Sequence, residues 1–276
     1  MTLDITSTVS LGGDVAMPWF GLGVFKSQPG PETERAVQWA VEAGYRHLDT
    51  AALYANEASV AAGIRAAGAD PADIFVTTKV WNTDQGYDRT MRAFDRSLGA
   101  LGMDTVDLYL VHWPVPAQGL AADTWRALET INREGRARAI GLSNFEPHHI
   151  DALLATAEIP PAVNQVELHP YLQQRHLQTY CRANGIVLEA WSPLAKGAVA
   201  TDPVLMRIGA AHGKSPVQVT VRWLLQLGIV VIPKSVKRDR IIANADVFDF
   251  VLADDEMAEI AALDRDFRTG PHPDRF

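Results

Sequence analysis

The sequence predicts an α/β fold, a closed (β/α)8 TIM barrel with an N-terminal β-hairpin cap and two extra helices. Three observations predict it. From Gly21 onward, short apolar runs alternate with amphipathic helical patterns eight times. Most of the helical patterns stop at a glycine, as at Gly44, Gly68, Gly102, Gly135, Gly185 and Gly228. Polar side chains end nearly every apolar run, whereas the opposite ends are turns rich in Gly and Ala. Strict β-α alternation implies a parallel sheet with right-handed crossovers. Eight units in about 250 residues is the size of a closed barrel, and an open doubly wound sheet of this length usually has fewer. No linker, low-complexity run or charge block marks a second unit, so one domain over 1–276 is expected.

The elements follow in order. Residues 9–17 alternate around Gly12-Gly13-Asp14, a hairpin signal placed to cap one end of the barrel. Residues 20–25 read as a strand with two glycines. They carry half of a dinucleotide fingerprint, but the third glycine and an immediate helix are missing. Close backbone packing at a strand is the better account. Helices are then expected over 32–42, 57–67, 89–101, 121–134, 147–157, 174–183, 203–211, 216–227, 238–245 and 254–263. Strands are expected over 47–49, 74–79, 106–112, 137–143, 162–167, 187–191 and 229–232. Asn56 has the side chain of a helix N-cap. His148 and His149 open a helix and are expected to be exposed. The tail, 269–276, holds two Pro and one Gly and reads as irregular.

Composition narrows the function. The 276-residue chain has a net charge of −8, against general nucleic-acid binding, which needs a basic face. Cys181 is the only cysteine, so no internal disulfide or Cys-rich metal set is possible, and a buried inert thiol is the plain reading. No stretch approaches 18 apolar residues and no basic leader opens the chain, so a soluble cytoplasmic protein without membrane contact is expected.

In a parallel barrel, side chains at the carboxyl ends of strands converge on one face. Asp49, Lys79 and His112 each end an apolar run, and Tyr54 follows Asp49 by five residues. Taken alone, each has a plainer explanation: a turn former, a solvated lysine cap, a core histidine, a packing tyrosine. Joint placement at adjacent strand ends points instead to proton transfer. A nearby Lys should lower the phenol pKa of Tyr54 from about 10. Asp49 can hold Lys79 charged, and His112 can donate to the oxygen that Tyr54 protonates. That arrangement polarises a carbonyl while something else supplies hydride. No His-x-His occurs on a strand and no carboxylates pair at strand ends, so a metal-dependent hydrolase is a weak rival and no metal is expected.

The segments 44–57, 77–81, 107–114, 141–145, 164–170, 189–194 and 232–250 resemble the aldo-keto reductase superfamily. They are most similar to its bacterial 2,5-diketo-D-gluconate reductase type. The match covers 9–268 and its motifs recur in order on separate strands. The resemblance implies NADPH-dependent reduction of aldehydes and ketones, such as small dicarbonyls, keto-sugars or aromatic aldehydes, to alcohols. It places the catalytic tetrad on Tyr54, Asp49, Lys79 and His112. It implies that Ser143, Asn144 and Gln165 bond the nicotinamide carboxamide. Trp191 would stack on the ring where the family usually has Tyr, and Ser192 and Leu194 would line the pyrophosphate path. Ile232, Lys234, Ser235, Val236, Arg240 and Asn244 complete the implied cofactor set.

Four cations within seven residues, Lys234 to Arg240, precede or open a helix, which is unfavourable without an anion. A 2′-phosphate held by Lys234, Ser235 and Arg240 would supply one, favouring NADPH over NADH. Where the family often has an acidic residue contacting adenine, this chain has Ala243. Phe25, Trp81 and Trp113, with His112, would wall the substrate pocket. The segment 114–123 and the tail after Arg268 would form short mobile rims. A monomer acting on a small-molecule carbonyl is expected. A non-catalytic NADP(H)-binding sensor on the same fold is the alternative, and the intact tetrad argues against it.

Overall fold

The computed structural model describes residues 3–276. A hairpin of β1 (Thr8–Ser10) and β2 (Ala16–Pro18) comes first. Eight parallel strands follow: β3 (Leu22–Gly23), β4 (His47–Asp49), β5 (Phe75–Val80), β6 (Val106–Val111), β7 (Ala137–Ser143), β8 (Val163–Glu167), β9 (Val187–Trp191) and β10 (Val230–Val231). They pair in sequence order, and a parallel bridge from Phe20 to Val231 joins the last strand to the first. This is the predicted (β/α)8 barrel.

Ten α-helices surround the strands among the described residues. They are α1 (Pro31–Glu42), α2 (Glu57–Ala66), α3 (Tyr87–Leu101), α4 (Ala121–Arg133), α5 (Pro147–Leu154), α6 (Arg175–Ala183), α7 (Pro203–His212), α8 (Pro216–Gln226), α9 (Arg238–Ala245) and α10 (Asp254–Ala261). Ten helices for eight strands gives the two extra helices. None is long and apolar enough to cross a membrane. Local chemistry sets the ends. Ser215 caps α8, its hydroxyl accepting from Gln218 N while the Gln218 side chain accepts from Ser215 N. Gly102, at φ 63°, closes α3 in the left-handed conformation that glycine adopts freely.

Two apolar layers result from strand alternation. Val76, Val80, Tyr109 and Val111 face outward and pack with Val37, Ile64, Phe94 and Leu128 from the helices. Phe75, Leu108, Leu110, Ala139, Val163 and Val230 instead form a small cluster with Val15 and Met17 of the hairpin. The hairpin therefore plugs one end of the barrel interior, the capping role expected of it.

Three expectations need correction. The strand expected over 20–25 shrinks to Leu22–Gly23 plus the Phe20 bridge. Asn56 occupies the N-cap position of α2, but its side chain makes no cap. It accepts from Thr50 Oγ1 at 2.8 Å and donates to the carbonyls of Val24 and Ser27, because a fully buried amide must have its own donors and acceptor satisfied. The tail is not wholly irregular, since Pro273–Arg275 forms a 3-10 turn. The glycine reading holds: a Cβ on Gly21 would lie 2.6 Å from His47 Nδ1, and one on Gly23 would lie 3.1 Å from Ile232 O. Cys181 is buried and its thiol is pushed up to about 11 by that burial, so it is inert.

Candidate active site

The half of the barrel interior opposite the hairpin is polar. One step of alternation beyond Phe75 come Thr77 and then Lys79; beside them His47 and Asp49 end β4. The register pairs Asp49 with Thr77 and Lys79 with Leu110, so the ends of β4, β5 and β6 stand side by side. Lys79 is fully buried and Asp49 nearly so. Lys79 Nζ donates to both Asp49 oxygens at 2.7 Å and to Thr50 O at 2.8 Å. The ammonium also lies 5.2 Å from the Tyr54 ring centre, and the Tyr54 and His112 rings meet edge to face at 5.7 Å. All four expected tetrad residues are therefore together.

Their electrostatics differ from expectation at one point. Burial pushes the Tyr54 phenol up to about 12, and the opposing pull of Lys79 does not offset it. The lowering expected of Tyr54 is overturned because a phenolate in this half-buried pocket loses more hydration than one ammonium returns. Burial also disfavours the charge on Lys79, but Asp49 and Tyr54 outweigh it, so its pKa is raised and the cation persists. Burial and Lys79 hold His112 well below the usual histidine range, so its imidazole is neutral, and its Nδ1 is buried without a partner.

Beneath the tetrad lies a pair that residue types alone did not single out. Gln165 Nε2 donates to Asp49 Oδ2 at 2.7 Å and to Glu189 Oε2 at 2.8 Å. Glu189 Oε1 is 3.6 Å from His47 Nε2, and both residues are wholly buried. Burial and the neighbouring Asp49 raise Glu189 from 4.5 to about 8, whereas burial and Lys79 lower His47 to about 3. At neutral pH both are uncharged. Between pH 4.5 and about 8 the unfolded chain loses the Glu189 proton and the folded chain keeps it, so the Glu189 contribution to stability falls as pH rises through that window. Glu189→Gln removes this titration. Urea unfolding should show the variant gaining on the parent between pH 5 and pH 8, and parallel pH profiles would contradict it.

Next to the tetrad, the expected carboxamide partners adjoin one another. Ser143 Oγ donates to Gln165 O at 2.9 Å, and Asn144 Nδ2 donates to Ser143 Oγ at 3.0 Å and to His112 O at 2.9 Å. Trp191 Nε1 donates to Asn144 Oδ1 at 2.8 Å, fixing the indole beside that amide. Both amide hydrogens of Gln165 go to carboxyl oxygens, of Asp49 and Glu189, which leaves its Oε1 free to accept. After β9 the backbone turns through left-handed residues at Ser192, Ala195, Lys196 and Gly197, and Leu194, at φ −96°, lies between the first two. After β10, Ile232, Ser235 and Asn244 are buried and Val236 half-buried, while Lys234, Lys237, Arg238 and Arg240 are exposed. None of these four cations has a carboxylate partner within 4 Å among the described residues.

Aromatic rings surround the mouth. Phe25 lies 5.0 Å from Tyr54, and Trp81 lies 5.0 Å from His112. Trp113 packs on Phe276 of the tail at 4.3 Å. The tail is not the free rim expected. The buried Glu167 carboxylate accepts from Thr269 N and Oγ1 and from Gly270 N, and Lys196 donates to Thr269 O. Nor is His149 exposed as expected; its side chain is 10% exposed, near Phe145 and Asp274. A Cβ on Gly270 would lie 2.5 Å from Trp191 Cη2 and 3.2 Å from Glu167 Oε2. Gly270→Ala should therefore displace the indole or the tail and cost about 1–3 kcal/mol in urea unfolding, the usual cost of overpacking. A cost near zero would mean the tail yields freely.

A separate open cleft of about 740 Å³ lies among Glu146, Gln174, Arg175, Arg265 and Arg268, away from the tetrad. Its arginines are already engaged: Arg268 with Glu146 at 2.9 Å, Arg175 with Asp264 at 3.7 Å, and Arg265 over the Tyr171 ring at 4.3 Å.

Comparison with known proteins agrees with the fold. The Aldo/keto reductase family model matches residues 19–265. The chain is 52% identical to glyoxal reductase of Bacillus subtilis (strain 168), covering 100% of this chain and 99% of that protein. It is 50% identical to 9,11-endoperoxide prostaglandin H2 reductase of Trypanosoma cruzi (strain CL Brener), over 97% and 95% of the two chains. The solved structure of a Gox0644 mutant in complex with NADPH superimposes with a TM-score of 0.90 at 45% identity, covering 94% of each chain. The chain belongs to the aldo/keto reductase family and is an NADP-dependent oxidoreductase acting on carbonyl groups.

Proposed function

We propose that the protein reduces small aldehydes and ketones to alcohols with NADPH, and that 2-oxoaldehydes such as glyoxal and methylglyoxal are its best substrate class. The observation that carries this reading is the buried Lys79–Asp49 pair set beneath Tyr54 and His112. The name of the Bacillus subtilis relative supports the substrate class. A monomer is proposed as the working unit.

The residues fit the cofactor. The open Gln165 Oε1 suits a carboxamide N–H, with Ser143 and Asn144 beside it and the Trp191 indole as a platform. Ser192 and Leu194 suit the pyrophosphate. Unpaired cations at the start of α9 suit a phosphate, with Lys234, Ser235 and Arg240 as its proposed holders and Ile232, Val236 and Asn244 shaping the nucleotide cleft. When bound, the reduced nicotinamide supplies hydride.

The chain's own residues supply the proton. At neutral pH the raised Tyr54 pKa keeps the phenol protonated, so it has a proton to give. As hydride reaches the carbonyl carbon, the oxygen takes that proton, and solvent later restores it to the phenolate. The Lys79 charge stabilises the phenolate left behind, and Asp49 keeps that charge in place. Neutral His112 donates a hydrogen bond to the same oxygen. Phe25, Trp81 and Trp113 wall the substrate.

Loss of NADPH absorbance with methylglyoxal or phenylglyoxal tests the reading. Tight NADPH binding without turnover on a broad carbonyl panel would favour a sensor instead. Arg240→Ala should weaken NADPH by about 10-fold or more, the scale of a charge-assisted hydrogen bond, with little change for NADH. Equal loss for both would remove Arg240 from phosphate recognition.

A further inference from the structure

Away from the barrel mouth, three metal-competent side chains converge where the tail crosses the start of α5. His148 and His149 are the second and third residues of α5, and Asp274 lies in the 3-10 turn of the tail. His148 Nε2 is 3.1 Å and His149 Nε2 is 3.2 Å from the same oxygen, Asp274 Oδ1. One ligand atom from each residue lies within 4.8 Å of the others. Bonds of about 2.0–2.2 Å to a tetrahedral cation would set its ligands about 3.4 Å apart. The two nitrogen–oxygen separations are already close to that, and the two imidazole nitrogens lie within 4.8 Å of each other.

We propose that His148 Nε2, His149 Nε2 and Asp274 Oδ1 form a site for a divalent transition cation of the Zn²⁺ type, which fastens the tail to α5. Two imidazoles and one carboxylate suit Zn²⁺ rather than Mg²⁺ or Ca²⁺, which take oxygen ligands. Three protein ligands leave the fourth position to water.

The neighbouring hydrogen bonds define what binding must change. His149 Nδ1 accepts from Glu146 N at 3.2 Å, so the neutral ring carries its proton on Nε2. Metal capture moves that proton to Nδ1 and breaks the capping bond, with no change in the charge of the ring. His272 is outside the set, since its Nδ1 accepts from Asp274 N at 3.3 Å. The cation sits two residues from Phe276, whose ring packs on Trp113 at 4.3 Å and on Trp81 at 6.1 Å. A bound cation therefore restrains a ring beside the mouth. Only the consequence for substrate rests on the reductase reading; the metal site itself stands apart from it.

The test uses the full chain without a histidine tag. Zinc chloride is titrated calorimetrically into the parent, His148→Ala and Asp274→Asn, and amide hydrogen exchange of 269–276 is followed with and without Zn²⁺. The result expected is one Zn²⁺ per chain, binding at least ~10-fold weaker in each variant. Zn²⁺ should also slow exchange in the parent tail and leave the Asp274→Asn tail unchanged. His148 and Asp274 are surface residues outside the barrel, and matched melting curves confirm that the variants fold. Absent saturable binding, or binding in Asp274→Asn as tight as in the parent, would overturn the proposal. NADPH turnover is not part of the readout, so failure here leaves the reductase reading untouched.

Discussion

Tyr54→Phe is expected to cut NADPH-dependent carbonyl reduction at least ~100-fold, the scale of lost general-acid catalysis, while NADPH affinity stays within about twofold. The substitution removes one oxygen and leaves the ring, with its contacts to Phe25 and His112, in place. No hydrogen bond from the phenol to the proposed carboxamide partners Ser143, Asn144 or Gln165 is lost, because those bond one another, Asp49, Glu189, Trp191 and His112 O. Fluorescence titration with NADPH and turnover on methylglyoxal separate the two effects. Undiminished turnover would take Tyr54 out of the proton path and leave His112 as the donor to test next. Because the phenol titrates only near pH 12, parent turnover should show no loss attributable to Tyr54 between pH 6 and 9.

The second large effect concerns Lys79. Lys79→Met should abolish measurable turnover and destabilise the fold by roughly 3–5 kcal/mol, the usual cost of leaving one partner of a buried ion pair behind. The methionine is similar in length, so packing is nearly kept. What is lost is three hydrogen bonds to Asp49 and Thr50 O, and Asp49 remains almost wholly buried with only Gln165 beside it. Adding Asp49→Asn to Lys79→Met removes the stranded charge. Urea unfolding should then recover part of the stability, whereas turnover should stay lost. If the double variant were no more stable than the single, the cost would lie in packing rather than in the uncompensated carboxylate.

The barrel and the ring of polar strand ends were legible because both rest on local pattern. A period of two with a helix stop after each unit places Asp49, Lys79 and His112 on one face without knowledge of any contact. Three features were not legible, each for a physical reason. Glu189 sits in the middle of an apolar run, and a carboxylate there reads as a solvent-facing position until its neighbours are known; its partners Gln165 and His47 come from two other strands. Asn56 had the correct side chain for a helix cap, but the Val24 and Ser27 carbonyls to which it donates lie about 30 residues earlier in the chain. The tail read as loose because its anchor, Glu167, lies 102 residues away from Thr269. The direction of the Tyr54 shift failed for a related reason: sequence shows that a lysine is available, not how completely water is excluded.

The joint between the last strand and the first has a consequence of its own. β6 and β7 share five paired positions, but β3 and β10 are two residues long and meet through the single Phe20–Val231 bridge. The hoop is thinnest there, and its breathing should start by unzipping at Trp19, Gly21 and Val231 before any other strand pair parts. Lys234 to Arg240 leave directly from that joint. An anion gripped by them would act as a buckle on the weakest part of the ring, so nucleotide occupancy and resistance to unfolding should rise together.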